Sequence, residues 1–146
     1  MRGFAAIGLV RPKDVHNIGG VLRAAHVYSA SLIAIEGDRT KLRTKQDTTK
    51  AWKHIPVVRG DDLFEMCPYA AVPIAVDLID GAISLPEFKH PQAAFYIFGP
   101  EDGTLGKKHV DRCAHVISIP TQFCMNLAAT VNVVLYDRLA KMRRAA

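Results

Sequence analysis

The sequence predicts a single α/β domain over residues 1–146, a mostly parallel sheet with helices on both faces. Two observations carry that expectation. Five short apolar runs are flat rather than alternating, as in strands covered on both sides. Segments of helical periodicity lie between them, and strand–helix alternation implies parallel pairing. Composition agrees: 49% of the residues are hydrophobic and 23% charged, the balance of an ordinary globular domain, so disorder of the bulk of the chain is excluded. A chain of this length needs no disulfide staples to bury a core.

The first strand is expected at Phe4–Val10, which runs straight into Arg11, Pro12, Lys13 and Asp14. No small-residue cleavage pattern follows, so a core strand explains the run better than a leader peptide. A helix is expected after Asn17, with Val21, Leu22, Ala25 and Tyr28 on its buried face and Asn17 placed to cap it. Leu32–Ile35, Val72–Val76, Ala94–Phe98 and Val116–Ile119 supply the remaining strands. The clearest helix runs from about Met125 to Arg144, where Leu127, Val131, Leu135 and Leu139 recur every four residues.

The least regular stretch is Gly37–Thr49, carrying Arg39, Lys41, Arg43 and Lys45, with Lys50 just beyond. It reads either as a solvated loop or as an arm whose cations displace counterions from nucleic acid. The net charge of +5 favours an anionic partner. Cys67, Cys113 and Cys124 are an odd number without C-x-x-C spacing, which suggests reduced thiols and a cytoplasmic protein. No apolar run approaches the ~18 residues of a membrane span.

Three segments carry candidate chemistry. In Asn17–Arg23 (N-I-G-G-V-L-R) a glycine pair lets backbone approach a ligand, and Arg23 can meet a phosphate or carboxylate at a helix N-terminus. The plain alternative is a glycine-rich turn with a surface arginine. Phe98–Lys108 (F-G-P-E-D-G-T-L-G-K-K) follows an apolar strand. It is not a Walker A loop, which needs Gly where Glu101 stands and Ser or Thr where Lys108 stands. What remains is a tight loop with an acidic residue at the strand end where open α/β sheets bind ligands. Ile119–Arg138 joins a strand end, Ile-Pro, through a short loop to a helix in which Asn126 and Asn132 interrupt an apolar stretch. Structural capping is a live alternative for Asn126.

Together these segments resemble the signature motifs of the SpoU/TrmH branch of the SPOUT superfamily of RNA methyltransferases. The first motif, N-x-G-x-x-x-R, is matched by Asn17, Gly19 and Arg23. The second, a G-x-E-x-x-G-L type loop, is matched by Gly99, Glu101 and Leu105, and the third by Ile119, Pro120, Asn126, Tyr136 and Asp137. Thr104 stands where the family has glycine, Cys124 at a serine position and Ala128 at a later small polar one, and the Pro120–Cys124 loop is shortened.

The resemblance implies a C-terminal trefoil knot, S-adenosylmethionine as cofactor, and methyl transfer to an RNA ribose 2′-oxygen. It also implies a homodimer whose active site takes its first motif from the partner. Cofactor contacts would fall on Val76, Gly99, Ile119, Cys124, Met125 and Leu127. The catalytic set would be Arg23, Asn17, Glu101 and Asn126. Arg23 would bind a phosphate and stabilise charge developing on the oxygen, since a guanidinium is a poor base. Asn17 would orient Arg23 or the ribose, Glu101 would hold Arg23 or Asn126, and Asn126 would contact substrate or cofactor. So short a chain resembles the tRNA-modifying members that act on the wobble ribose.

Other residues invite weaker readings. Cys124 as a thiolate nucleophile would point to base methylation instead, but the resemblance sets it on the cofactor side. His109, Cys113 and His115 lack a fourth partner, so no metal is expected. Trp52, among Lys50, Lys53 and His54, either stacks on a base or packs in the protein. Arg138, Lys141, Arg143 and Arg144 either complement the helix dipole or face RNA. A non-catalytic RNA-binding or cofactor-binding relative is the competing function, which Thr104, Cys124 and Ala128 would suit. The retained Asn17, Arg23, Glu101 and Asn126 argue against it.

Overall fold

The computed structural model describes residues 3–39 and 50–145. Among these, the strands are β1 (Phe4–Val10), β2 (Leu32–Glu36), β3 (Val57–Gly60), β4 (Val72–Val76), β5 (Ile83–Ser84), β6 (Ala93–Phe98) and β7 (His115–Ser118). They form one sheet in the order β3-β2-β1-β6-β4-β7-β5, every adjacent pair parallel. The five expected strands are all present. β3 and β5 have no counterpart in the sequence reading: Arg59 breaks the apolar run of one, and the other is only two residues long.

The long helices are α1 (Val15–Val27) and α3 (Leu127–Ala145). α1 begins before Asn17, which corrects the expected cap. Asp14, itself a strong capping residue, accepts the His16 N–H at 2.8 Å. Asn17, Gly19 and Gly20 therefore lie inside the helix rather than in a turn. α3 begins just past Met125 because Asn126 stays outside it, its Oδ1 accepting the Ala129 N–H at 3.2 Å. The capping alternative for Asn126 thus describes its local geometry.

Both helices cover one face of the sheet, where Ile7, Leu9, Ile33, Ile74, Tyr96 and Phe98 are buried. The opposite face is covered by shorter pieces, the 3₁₀ turn Leu63–Met66 and α2 (Lys107–Val110), where Leu63 and Leu105 are buried against Phe95 and Ile97. α1 and α3 approach each other so closely that a Cβ on Gly20 would lie 2.6 Å from the Ala128 Cβ. Only glycine fits there, so this residue serves helix packing.

The C-terminal cations are not a solvated tail throughout. Arg138 is 3% exposed, donating to the carbonyls of Pro91 (2.7 Å), Gln92 (2.5 Å) and Phe4 (3.2 Å) and to the Tyr96 hydroxyl (3.2 Å). Lys141 donates to the Leu85 and Phe88 carbonyls and pairs with Asp137 at 2.8 Å. His90 bridges Tyr96 (2.6 Å) and Asp137 (2.8 Å). Desolvation pushes the His90 pKa down despite the Asp137 carboxylate. A neutral ring suits both contacts, with Nε2–H donating to Asp137 and Nδ1 accepting from the Tyr96 hydroxyl. Burial raises that hydroxyl to about 12. This network fastens α3 to the N-terminal side of the sheet, and it accounts for Asp137 at the end of the third motif.

Candidate active site

β1 and β6 are neighbours, and the chain leaves them toward opposite faces. After β1 it enters α1, while after β6 it returns over the other face, where Leu105 is buried. Divergence at adjacent strand ends opens the crevice in which α/β proteins bind ligands. A cleft of about 370 Å³ lies at this end of the sheet, lined by the last residues of three adjacent strands, Val76, Phe98 and Ser118. The loop after β6 and the segment leading into α3 complete it. Its described lining includes two carboxylates, Asp77 and Glu101, and no Lys, Arg or His.

Val76, Gly99, Ile119, Cys124, Met125 and Leu127 all line this cleft, as do Asn17, Glu101 and Asn126. Gly99 is a tight position, since a Cβ there would stand 3.0 Å from the Leu105 backbone nitrogen. A side chain would press against the Thr104–Leu105 loop, which itself lines the cleft.

At the α1 edge three side chains form a chain of hydrogen bonds. Asn126 Nδ2 donates to Asn17 Oδ1 at 2.6 Å, and Asn17 Nδ2 donates to Glu101 Oε1 at 3.4 Å. The other Glu101 oxygen accepts the Lys13 backbone N–H at 2.8 Å. One residue from each motif is thereby tied to its neighbour. The link depends on the close α1–α3 contact one turn away at Gly20.

Arg23 is not brought to this cluster. It follows Asn17 by six residues, about 240° around a helix of ~3.6 residues per turn, so it faces another direction. It is exposed and does not line its own chain's cleft. Within this chain Glu101 therefore holds Asn17, not Arg23 or Asn126, and Asn17 holds Asn126 rather than orienting Arg23.

Asp77, immediately after β4, was missed by the sequence reading. A single aspartate after a strand is too common to signal anything. Its Oδ1 accepts the Leu78 N–H at 2.9 Å, while Oδ2 is shielded from solvent and has no hydrogen-bond partner among the described residues. Outside the cleft, Arg39 pairs at 2.9 Å with Asp102 of the loop after β6, holding that carboxyl below its ordinary pKa. Lys41, Arg43 and Lys45 lie outside the described residues.

No cluster of potential metal ligands occurs among the described residues. His109 instead contacts Glu36 at 3.0 Å, and burial raises the Cys113 thiol to about 11. Trp52 is half-buried in a 3₁₀ turn, with the Lys53 ammonium 5.3 Å from its ring centre. No described helix is long and apolar enough to cross a membrane.

The sequence profile of the SpoU rRNA Methylase family matches residues 5–136. No curated protein matches the chain in sequence. Solved structures do match in fold. One is the SpoU methyltransferase AviRb from Streptomyces viridochromogenes in complex with AdoMet, at 20% identity and a TM-score of 0.85. The match takes in 100% of this chain but only 63% of that one. A second, from a structural study of the 2-OH methylation of C/U34 on tRNA, has 22% identity and a TM-score of 0.83 over 98% of this chain and 93% of that one. A third, the A. aeolicus TrmH/SpoU tRNA modifying enzyme, has 16% identity and a TM-score of 0.84 over 99% and 78%.

Proposed function

The chain belongs to the SpoU rRNA methylase family, and on that footing we propose that it is an S-adenosylmethionine-dependent RNA 2′-O-ribose methyltransferase acting on tRNA as a knotted homodimer. The observation that carries this reading is that all six expected cofactor contacts line one cleft beside the Asn126–Asn17–Glu101 chain. The charge of the cleft supports the cofactor. A lining with two carboxylates and no cation suits a sulfonium and an ammonium, and disfavours a phosphate-bearing nucleotide. The unpartnered Asp77 oxygen fits a ligand with hydrogen-bond donors. The tRNA assignment draws on the neighbour studied for tRNA 2-OH methylation, which is nearly matched in length.

When bound, S-adenosylmethionine supplies a methyl group already activated on a sulfonium. The chain's task is to place a ribose 2′-oxygen in line and help it lose its proton. Val76, Phe98 and Leu127 make an apolar wall that excludes water from that line. The amides of Asn17 and Asn126 are held by each other and by Glu101, so they need no reorganisation when a ribose arrives. Asn126 keeps one N–H for a substrate oxygen. Arg23, outside its own cleft, is supplied to the partner's cleft, where it binds the adjacent phosphate and stabilises negative charge developing on the 2′-oxygen.

Arg23→Ala tests this assignment. Methyl transfer should fall by about 10²–10³, the usual effect of removing one charge-stabilising donor, with tRNA affinity kept within a few-fold. Mixing Arg23→Ala with Gly99→Val subunits should restore activity that neither has alone, because one composite site is then intact. Unchanged activity in Arg23→Ala would end its catalytic assignment. Failure of the mixture to recover would end the shared site. A wild type that binds tRNA and cofactor but transfers nothing would favour the non-catalytic relative.

A further inference from the structure

We propose that Asp77 is the residue that recognises the ribose of the bound cofactor, its Oδ2 accepting hydrogen bonds from the vicinal 2′- and 3′-hydroxyls of the adenosyl group. The proposal rests on the cofactor reading above. Asp77 is rigidly placed: its N–H donates to the Ile117 carbonyl at 3.0 Å, and Oδ1 accepts the Leu78 N–H at 2.9 Å. Asp77 lines the cleft, and its second oxygen is shielded from water and without a described partner. A shielded acceptor left unmatched is costly, and a donor from a ligand removes that cost.

The two carboxylates of the cleft are differently engaged. Both oxygens of Glu101 are occupied by Lys13 N–H and Asn17 Nδ2. Those contacts lie on the β1 side, where methyl transfer is proposed to occur. Asp77 directly follows β4, which lies two strands across from β1 in the sheet order, a lateral displacement of about 10 Å at ~4.8 Å per strand. A cofactor with its methyl end at Asn17 and Asn126 brings its adenosyl half toward Asp77. Among the donors of that half, a vicinal diol offers two hydroxyls side by side to one carboxylate oxygen. The α-ammonium, by contrast, belongs with the sulfonium end.

The test is calorimetric titration of the apo protein with S-adenosylhomocysteine, 5′-methylthioadenosine and 2′,3′-dideoxy-5′-methylthioadenosine. For wild type, loss of the diol should weaken binding by about 10–100-fold, as expected for hydrogen bonds to a charged group. In Asp77→Ala the two methylthioadenosines should bind equally weakly. Asp77→Asn preserves the shape and serves if the alanine variant melts early; its diol preference should also shrink. The same diol preference in wild type and variant would overturn the proposal. So would weakening of S-adenosylhomocysteine alone, which would place the carboxylate against the ammonium. If wild type binds none of the three ligands, the cofactor reading itself fails.

Discussion

Gly20→Ala separates a packing requirement from a helix-propensity effect by the sign of its result. In an ordinary helix interior this change stabilises by about 1 kcal/mol. Here the added methyl would lie 2.6 Å from the Ala128 Cβ, against ~3.5–4.0 Å for an unstrained carbon contact. α1 and α3 must separate by about 1 Å, and overpacking of that kind costs ~1–3 kcal/mol. The net expectation is destabilisation of up to about 2 kcal/mol, a fall in Tm of several degrees at roughly 2–4 °C per kcal/mol. Activity should suffer more than stability. The Asn126–Asn17 bond of 2.6 Å spans the same two helices, and a ~1 Å displacement of a positioning group can cost about 10² in rate. Thermal melting and methyl-transfer assays on Gly20→Ala, Ala128→Gly and the double variant measure both effects. The double variant should recover much of the activity. If Gly20→Ala melts higher than wild type with full activity, the helices are not in close contact and the site does not depend on their spacing.

Two further outcomes follow from the network beneath α3. Arg138→Met should lower stability by about 3–5 kcal/mol, because three carbonyls and the Tyr96 hydroxyl lose a buried charged donor; urea unfolding should show a lower midpoint with an unchanged m value, and a shift below about 1 kcal/mol would contradict the role given to Arg138. His90 should make the fold acid-sensitive. Its folded pKa lies below the ordinary 6.5 through desolvation, so between the two values the unfolded chain binds the extra proton. The His90 contribution is full above about pH 6.5 and is lost as pH falls toward the depressed value. Urea midpoints at pH 7.5 and 5.5 should therefore separate in wild type and converge in His90→Gln. A wild type that gains stability on acidification would refute this.

Much of the fold is legible in the sequence because a strand covered on both faces leaves a local trace. β1 and β4 have the bounds that their apolar runs suggest. β3 is not legible, since an edge strand holding Arg59 has no uninterrupted run to show. The segments that line the cleft could be found because ligand contacts cluster in short stretches at strand ends. How those stretches touch is another matter. Asn17 and Asn126 are 109 residues apart, and their hydrogen bond exists only because two helices pack at Gly20. A glycine pair after a strand suggests a ligand-binding turn, whereas here Asp14 starts the helix earlier and places both glycines within it. Cations in the last turns of an amphipathic helix suggest a match to the helix dipole or an RNA-facing surface, yet Arg138 and Lys141 turn inward to carbonyls that no local pattern marks. Asp77 becomes visible only through the environment of one oxygen.

The decisive measurement is incubation of the purified protein with radiolabelled S-adenosylmethionine and small RNA from cells lacking its gene, followed by digestion to nucleosides. Label in a 2′-O-methylated nucleoside of tRNA is the expected result, and it would identify the modified base as well. Label in a ring-methylated base would contradict ribose transfer and make the exposed Cys124 the nucleophile to examine.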